Sequence, residues 1–450
     1  MRILRHITGI ATCILLFAAY PKAHAQTNAD ARIGNALNGG DPFELKNAYV
    51  ETSDSLTPLL KCFAECMLAN NFNRPAEACS SIDTLVEKYQ DAIGLGNTMS
   101  MLYLKASNMA KLGHYKDASQ MLGSMVQKLA PHIDKSKLAL FSEKADEYAA
   151  LAKFGGINEV SIPQQGATFP FAIDSTYAKN NITGRMFFTA DINGHRLKVN
   201  FDTGAGTNVI SEQAAKMLGL HMLDAKVTAM GISGMKRNGY KAIADKVKIG
   251  NLELRNVPFL VMDIRSGVDS IDNKYFKDLD AIMGVELMNA VKEMRIDFKA
   301  QNIHIPSVPS PMAKGEKQNL AIISTGIPVV EAAIGGTPYT VGFDTGASNS
   351  VLSALYYERN KDFILANFEE DSVRQAGSGG IEISKAYKLN DVAIAVGGGT
   401  HVFPHISSLT DSNNTDGKYG NLGMDFFRAF DEVVINMKDM FVQMIGCMRQ

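Results

Sequence analysis

An internal repeat is the feature that most constrains what this chain can fold into. The segments FDTGAGTNVIS, starting at Phe201, and FDTGASNSVLS, starting at Phe343, match almost position for position at an offset of 142 residues. Two further pairs follow in the same order, Gly284 with Gly423 and Arg295 with Val434, both at an offset of 139. Chance does not place three matched anchors in one order, so the sequence predicts a duplicated domain.

Each copy of the repeat has the pattern of an all-β domain. Strand-like segments that alternate apolar and polar residues are separated by turns such as Asn193-Gly194 and Gly335-Gly336. A proline-rich stretch at 306–319 divides the region, because three prolines in six residues disfavour a helix or a central strand. We therefore expect lobe 1 at residues 160–305, a linker at 306–319 and lobe 2 at residues 320–450.

The repeated Asp-Thr-Gly gives each lobe one carboxylate at the end of an apolar strand. The glycine lets the chain turn sharply and holds Asp202 or Asp344 at the mouth of a loop. Two carboxylates that face each other cannot both ionise, so they share one proton. The charged member then accepts a proton from water while the neutral member donates one to a carbonyl, which is acid–base catalysis of amide hydrolysis.

The Asp-Thr-Gly loop, followed by a strand and, 82 residues after the first aspartate, by an apolar–apolar–Gly segment, resembles the retropepsin and pepsin family of aspartic peptidases. The resemblance covers both lobes and implies two all-β acid-protease lobes of the retropepsin-like barrel type. By this resemblance the catalytic pair is Asp202 and Asp344. It also implies that Thr203 and Thr345 cross-link the two loops through hydroxyl–backbone hydrogen bonds, and that Gly204 and Gly346 shape the loops.

Two departures from the family pattern are visible. Lobe 2 has Asn421 where the apolar–apolar–Gly segment of lobe 1 has Ile282. Ala205 and Ala347 follow the two glycines, as in retroviral-type enzymes, where pepsins have Ser or Thr. A hydroxyl at that position would hydrogen-bond the ionised aspartate and lower its pKa. Its absence predicts a pH optimum less acidic than that of a pepsin.

The family also places a β-hairpin flap over the substrate in each lobe. The candidates are Ala229–Tyr240 and Ala376–Ser384, although their glycines suit any hairpin turn equally well. The flap residues singled out by this comparison are Gly231, Gly234, Tyr240, Gly377 and Gly379. Glu286 and Asp425, which follow the glycine of each second anchor, are expected to cap short helices.

Residues 26–155 are predicted to be helical. Apolar residues recur there at a spacing of three to four, without strand-like alternation. The segment Lys111–Ala118 resembles the turn of a tetratricopeptide repeat, and Asn71-Phe72 begins a degenerate earlier copy. The fold class is thus an all-α, tetratricopeptide-like domain of helical hairpins followed by two all-β lobes. A plain helical bundle remains the alternative for the first part.

The N-terminus predicts export. Arg2 and Arg5 precede an apolar run at Ile7–Tyr20, and Ala23-His24-Ala25 provides small residues for cleavage. Residues 1–25 are therefore expected to be a signal peptide, and the mature chain to be periplasmic or extracellular, with no membrane span. Four cysteines remain in the mature chain, and in an oxidising compartment a bridge from Cys79 to Cys62 or Cys66 is expected. Metal binding is the alternative, although three thiols with no histidine nearby make a poor zinc signature.

These observations predict a secreted aspartic endopeptidase that acts on peptide or protein substrates. The alternative is a catalytically inactive peptide-binding or scaffold protein, in which the helical repeats recognise a protein partner. A net charge of −2 provides no basic face for nucleic acid. The motifs imply no cofactor and no metal ion.

Overall fold

The computed structural model describes residues 28–174, 184–230, 236–265, 267–276, 279–377, 380–411 and 417–447. The predicted signal peptide and the flap candidates Gly231, Gly234 and Gly379 lie outside these residues. No helix within the described ranges is both long and apolar enough to cross a membrane. The chain divides into two compact units. One comprises the residues up to Gly155 together with Ala321–Gly326, and the other comprises Gly156–Leu320 and Ile327–Gln450.

The first unit is built from helices, as predicted. They are α1 (Asn28–Gly39), α2 (Pro42–Thr52), a 3-10 turn at Ser53–Ser55, α3 (Pro58–Asn71), α4 (Pro75–Lys111), α5 (Tyr115–Leu129) and α6 (Lys135–Leu151). Helix α4 folds back on itself at Gly94, whose φ of 75° is outside the helical region. The ion pair between Lys105 and Asp83 joins the two arms of this hairpin.

A turn and a packing position recur forty residues apart in this unit. Asn73, before α4, and Gly113, before α5, have φ values of 52° and 83°, so both turns use the left-handed region. Ala78 and Ala118 are both 0% exposed. A small side chain at this position lets neighbouring helices approach closely.

The expected disulfide of the helical unit is not formed. Among the described residues Cys62, Cys66, Cys79 and Cys447 are all thiols. The side chains of Cys62 and Cys66 hydrogen-bond to each other across one helical turn. The sulfur of Cys79 instead faces the Lys105 carbonyl oxygen at 3.8 Å, on the other arm of α4. The prediction was wrong because these contacts turn Cys79 away from the pair.

The second unit contains the strands of both lobes. Lobe 1 and the residue before it contain β1 (Glu159–Ser161), β2 (Ala167–Ile173), β3 (Met186–Ile192), β4 (His195–Phe201), β5 (Val209–Ile210), β6 (His221–Met230), β7 (Lys236–Ile249), β8 (Leu252–Val261), β9 (Ala281–Met283), β10 (Glu293–Asp297) and β11 (Asn302–Ile305). Its helices are α7 (Glu212–Met217), α8 (Asp269–Ile271), a π turn at Asp272–Phe276, and α9 (Val285–Val291).

Lobe 2 begins with β12 (Leu320–Ile322), of which residues 321 and 322 fall in the first unit. It continues with β13 (Pro328–Ile334), β14 (Thr337–Phe343), β15 (Val351–Leu352), β16 (Glu369–Gly377), β17 (Gly380–Val396), β18 (Gly399–Leu409), β19 (Gly420–Leu422), β20 (Glu432–Asn436) and β21 (Phe441–Ile445). Its helices are α10 (Ala354–Arg359), α11 (Lys361–Asn367) and α12 (Met424–Phe427).

The two lobes have the same strand topology. Lobe 1 follows the order β3-β4-β9-β5-β8-β7-β6, and lobe 2 follows β13-β14-β19-β15-β18-β17-β16. A further pairing, β3 with β7 and β13 with β17, closes each sheet on itself. The duplicated sequence therefore gives a duplicated closed sheet, because equivalent segments make equivalent pairings.

The hairpin turns of the repeat are equivalent as well. Asn193 and Gly194 have φ values of 50° and 87°, and Gly335 and Gly336 have 56° and 84°. Positive φ at both central residues is the requirement of a type I′ turn, whose twist matches that of the flanking strands. These turns join β3 to β4 and β13 to β14, so each hairpin feeds directly into one Asp-Thr-Gly loop.

One strand from each lobe joins the two halves in a single sheet. Strand β10 pairs with β20 in antiparallel register, with Arg295 opposite Val434. These two residues are equivalent in the internal repeat, so a local two-fold axis passes between the strands at this residue pair. Among the described residues between Ile305 and Leu320 there is neither helix nor strand.

Candidate active site

Equivalent main-chain contacts position the two Asp-Thr-Gly loops. Phe201 and Phe343, the last residues of β4 and β14, are both 0% exposed and anchor the loops in the two cores. The Asp202 amide donates to the Met283 carbonyl at 3.0 Å, and the Asp344 amide donates to the Leu422 carbonyl at 3.0 Å. Each aspartate therefore starts its turn against the strand that carries the second anchor of its own lobe.

The threonines bind the loops to each other. Thr203 Oγ1 donates to the Phe343 carbonyl at 2.6 Å, and Thr345 Oγ1 donates to the Phe201 carbonyl at 3.0 Å. Each hydroxyl also accepts from the opposite threonine amide, at 2.9 and 3.1 Å. Both side chains are almost completely buried. These four bonds give the reciprocal cross-link that the family resemblance implied.

The carboxyl groups of Asp202 and Asp344 meet within one chain. Their side chains hydrogen-bond to each other. A Cβ atom added to Gly204 would lie 2.6 Å from Asp344 Cγ, and one added to Gly346 would overlap the Asp202 carboxyl group. Glycine is therefore required at both positions, because any side chain there would collide with the carboxyl group of the aspartate in the other loop.

The environment of Asp202 opposes its ionisation. Burial raises the pKa of Asp202 well above its ordinary value, and the neighbouring Asp344 raises it further through its charge and hydrogen bond. The Gly204 amide, which donates to Asp202 Oδ1 at 2.8 Å, and the charge of Arg185 act in the opposite direction. A carboxyl with this balance holds its proton, as one member of a proton-sharing pair must.

Asp344 receives more hydrogen bonds than Asp202. Its Oδ1 accepts from the Gly346 and Ala347 amides at 2.9 and 3.1 Å, and its Oδ2 accepts from Asn421 Nδ2 at 3.0 Å. The sequence shows Asn421 only as a departure from the apolar–apolar–Gly pattern. The available signal was that departure itself, since a polar residue beside a carboxylate is a candidate hydrogen-bond donor.

Acidic side chains brace the segment that follows each loop. Glu286 accepts from Thr207 Oγ1 at 2.9 Å and from the Asn208 amide at 3.1 Å, and buried Lys241 also donates to Thr207. In lobe 2, Asp425 accepts from the Ser350 hydroxyl at 2.6 Å.

Neither Glu286 nor Asp425 is the N-cap residue that was expected, although Asp425 Oδ1 also accepts from the Phe426 amide in the first turn of α12 at 2.9 Å. Gly284 and Gly423 occupy the cap positions of α9 and α12. Side chains in the first helical turn lean toward the preceding segment, which places both carboxylates against the loops.

The strands of both predicted flaps form antiparallel hairpins. Strands β6 and β7 pair up to Met230 and Lys236, and β16 and β17 pair up to Gly377 and Gly380. Tyr240, on β7, is 44% exposed. Gly231, Gly234 and Gly379 lie beyond the described parts of these hairpins, and the closing role of the flaps stays a prediction.

Comparisons with known proteins support the resemblance in lobe 1. Residues 188–285, which include Asp202, match a protein-family model that is described as aspartyl protease. No curated protein matches the sequence at a significant level.

Two similar solved structures are a retropepsin-like aspartic protease from Rickettsia conorii and the EIAV protease in complex with the inhibitor HBY-793. The first is 20% identical, with a TM-score of 0.22, and covers 33% of this chain and 92% of its own. The second is 22% identical, with a TM-score of 0.17, and covers 26% and 92%.

Proposed function

We propose that the protein is an aspartic-type endopeptidase in which Asp202 and Asp344 form the catalytic pair. The observation that carries this proposal is that the two carboxyl groups face each other from symmetry-related, cross-linked loops. Such a pair shares one proton, which supplies an acid and a base in one place. The aspartyl protease match over residues 188–285 supports the same reaction class.

In this proposal, the reaction needs only the pair and a water molecule. The ionised carboxylate accepts a proton from the water, and the resulting hydroxide attacks the scissile carbonyl carbon. The neutral carboxyl donates its proton to the carbonyl oxygen, which gives a neutral tetrahedral diol. The carboxyl that accepted the water proton then donates it to the leaving nitrogen as the C–N bond breaks, and a diol hydroxyl returns its proton to the other carboxylate. Both carboxyls return to their shared-proton state, and no covalent enzyme intermediate forms.

The substrate of the proposed enzyme is an extended peptide. The candidate flaps are the turn ends of the hairpins β6–β7 and β16–β17, at Ala229–Tyr240 and Ala376–Ser384, with Tyr240 as a residue that contacts the peptide. Export to a periplasmic or extracellular location, by the predicted signal peptide, would give the enzyme access to such substrates. The helical unit, read as tetratricopeptide-like hairpins, would recruit a protein partner or a protein substrate.

The test is cleavage of a mixed peptide library between pH 3 and 8 by the wild type and by Asp202→Asn and Asp344→Asn. We expect each variant to lose cleavage by roughly 10²- to 10⁴-fold, the usual contribution of a general acid or base. Asp224→Asn, which changes an exposed carboxylate on β6, is the matched control and should retain full activity.

Folding is checked by circular dichroism, and a statine-type transition-state mimic should inhibit the wild type. A folded wild type that cleaves no peptide across this pH range would contradict the proposal. That result would favour the alternative of a protease-like binding or scaffold protein.

A further inference from the structure

One pair of positions breaks the symmetry between the lobes beside the catalytic loops. In lobe 1, β4 and β9 run parallel with Asn200 opposite Ile282, and in lobe 2, β14 and β19 run parallel with Gly342 opposite Asn421. Asn200 and Gly342 are equivalent in the repeat, as are Ile282 and Asn421. Lobe 1 therefore has its asparagine on the first strand of the pair, β4, and lobe 2 has it on the second, β19.

The two asparagines donate to different acceptors. Asn200 is 2% exposed, and its Nδ2 donates to the Met186 carbonyl at 2.9 Å and to the Phe201 carbonyl at 3.4 Å rather than to a carboxyl group. Ile282 packs against the apolar cluster that contains Phe187 and Leu279. Within the described part of lobe 1, no side-chain amide therefore donates a hydrogen bond to Asp202.

In lobe 2 the absence of a side chain at position 342 makes room for Asn421. A Cβ atom on Gly342 would overlap Asn421 Oδ1. With glycine there, the Asn421 amide occupies the space beside Gly342 and its Nδ2 donates to Asp344 Oδ2 at 3.0 Å. Because the glycine and the asparagine occur together in one lobe, and neither occurs at that position in the other, the contact is built by both strands.

We propose that Asn421 is a positioning residue that decides which aspartate carries the shared proton, by donating to Asp344 and leaving the proton on Asp202. This inference rests on the proposed peptidase function. It adds a direction to the reaction. Asp344 activates the water and Asp202 protonates the carbonyl oxygen, so the scissile carbonyl of the substrate points toward Asp202.

The hydrogen-bond balance around the pair supports this assignment. Asp344 accepts from two backbone amides and from Asn421, whereas Asp202 accepts from the Gly204 amide. Hydrogen bonds donated to a carboxylate favour its charged form. The raised pKa of Asp202, caused first by burial and then by Asp344, agrees with this assignment.

The other charged side chains in this region provide no substitute for the Asn421 donor. Arg185 favours the ionised form of Asp202, but it is the weakest of the influences on that carboxyl. The Lys418 side chain passes 3.4 Å from the point that a Gly342 Cβ would occupy. Glu286 and Asp425 accept from the segments after the loops. None of these contacts replaces the direct donor to Asp344.

The test uses the full-length protein and two near-isosteric variants, Asn421→Leu and Asn421→Asp. Leucine removes the donor, and an ionised aspartate replaces it with a repelling charge. We expect the acidic limb of the kcat/KM profile to move to higher pH by about one unit in Asn421→Leu and by more in Asn421→Asp. Asn390→Asp adds the same charge at an exposed site on β17 and should leave the limb in place.

A second readout does not depend on activity. Carbon-13 NMR of the aspartate carboxyl groups, assigned with Asp344→Asn, should show Asp202 still protonated above the pH at which an ordinary aspartate ionises in the wild type. Asn421→Leu should reduce the fraction of the shared proton that Asp202 carries. If both variants lower Tm but leave the titration and the acidic limb unchanged, Asn421 has only a packing role and the inference is wrong.

The two proposals fail in different ways. A wild type that cleaves no peptide, but whose Asp202 protonation responds to Asn421→Leu, overturns the peptidase function while it supports the proton assignment. An active wild type in which Asp202 titrates first overturns the assignment alone.

Discussion

At the scale of single residues, the site depends on threonines and glycines whose contacts are made with the opposite Asp-Thr-Gly loop. Thr203 and Thr345 are buried, and each has its hydroxyl between a carbonyl and an amide of the other loop. Gly204 and Gly346 leave space for the carboxyl group of the opposite loop. A substitution at either pair therefore affects both lobes, because every contact crosses between them.

Asp202 gives a prediction about stability and pH. Its pKa is raised in the folded protein, so the folded state holds a proton that the unfolded chain releases near pH 3.9. The stability contributed by this carboxyl is complete below that pH and is lost as pH rises through the folded-state pKa. Asp202→Asn has no carboxyl to ionise at this position, so the variant does not lose this stability as pH rises. We expect its Tm to equal that of the wild type near pH 3 and to exceed it by about 2 °C or more at pH 7.

Thermal unfolding from pH 3 to 8 measures this difference. Asp224→Asn serves again as the control, and its Tm should follow the wild type at each pH. A Tm difference for Asp202→Asn that stays the same at pH 3 and pH 7 would show that the carboxyl is not held protonated by the fold.

At the scale of secondary-structure elements, β10 and β20 carry the connection between the lobes. Their pairing brings Glu293, which is 0% exposed, next to Asn436 and the linker. Glu293 accepts from Asn436 Nδ2 at 2.9 Å and from Arg295 Nε at 2.9 Å. The Ser310 amide and hydroxyl also donate to it. One buried carboxylate thus fixes the linker to the sheet that joins the lobes.

Glu293→Ala should therefore release the linker. The substitution leaves the Ser310 amide without its acceptor, which costs about 1–3 kcal/mol for a buried donor, and leaves Asn436 Nδ2 with only the Ser310 carbonyl. We expect trypsin to cut at Lys314 and Lys317 several-fold faster than in the wild type, as followed by mass spectrometry. Glu432→Ala is the control, because that partly exposed residue accepts from Arg295 at 3.3 Å and contributes little. Equal cutting rates in both variants would contradict this role of Glu293.

The sequence predicted those elements whose signals are local or repeated. The Asn193-Gly194 and Gly335-Gly336 turns required positive φ, and the equal spacing of the anchors predicted equal pairings in both lobes. The β10–β20 pairing was not predicted, because nothing local shows which strand lies beside another. The Glu293 network and the Glu286 and Asp425 braces depend on side-chain direction in space. The disulfide failed for the same reason, since cysteine spacing does not show which way each thiol points.

At the scale of the whole molecule, duplication has placed a complete pair of loops in one chain. Both lobes have the same strand order, and the local two-fold axis between Arg295 and Val434 relates them. The two halves of one chain can differ in sequence, and they do so at Gly342 and Asn421, beside the pair of Asp202 and Asp344. A site made of two identical halves could not assign the proton in this way, because both aspartates would have the same partners.

The central claim is that Asp202 and Asp344 of the same chain form one proton-sharing pair that hydrolyses peptides. The most direct measurement is peptide cleavage by Asp202→Asn, by Asp344→Asn and by an equimolar mixture of the two variants. Because each chain supplies both members of its own pair, we expect the mixture to be as inactive as its components. If lobe 1 of one chain instead paired with lobe 2 of another, mixing would restore about a quarter of the wild-type activity, and that recovery would contradict the claim.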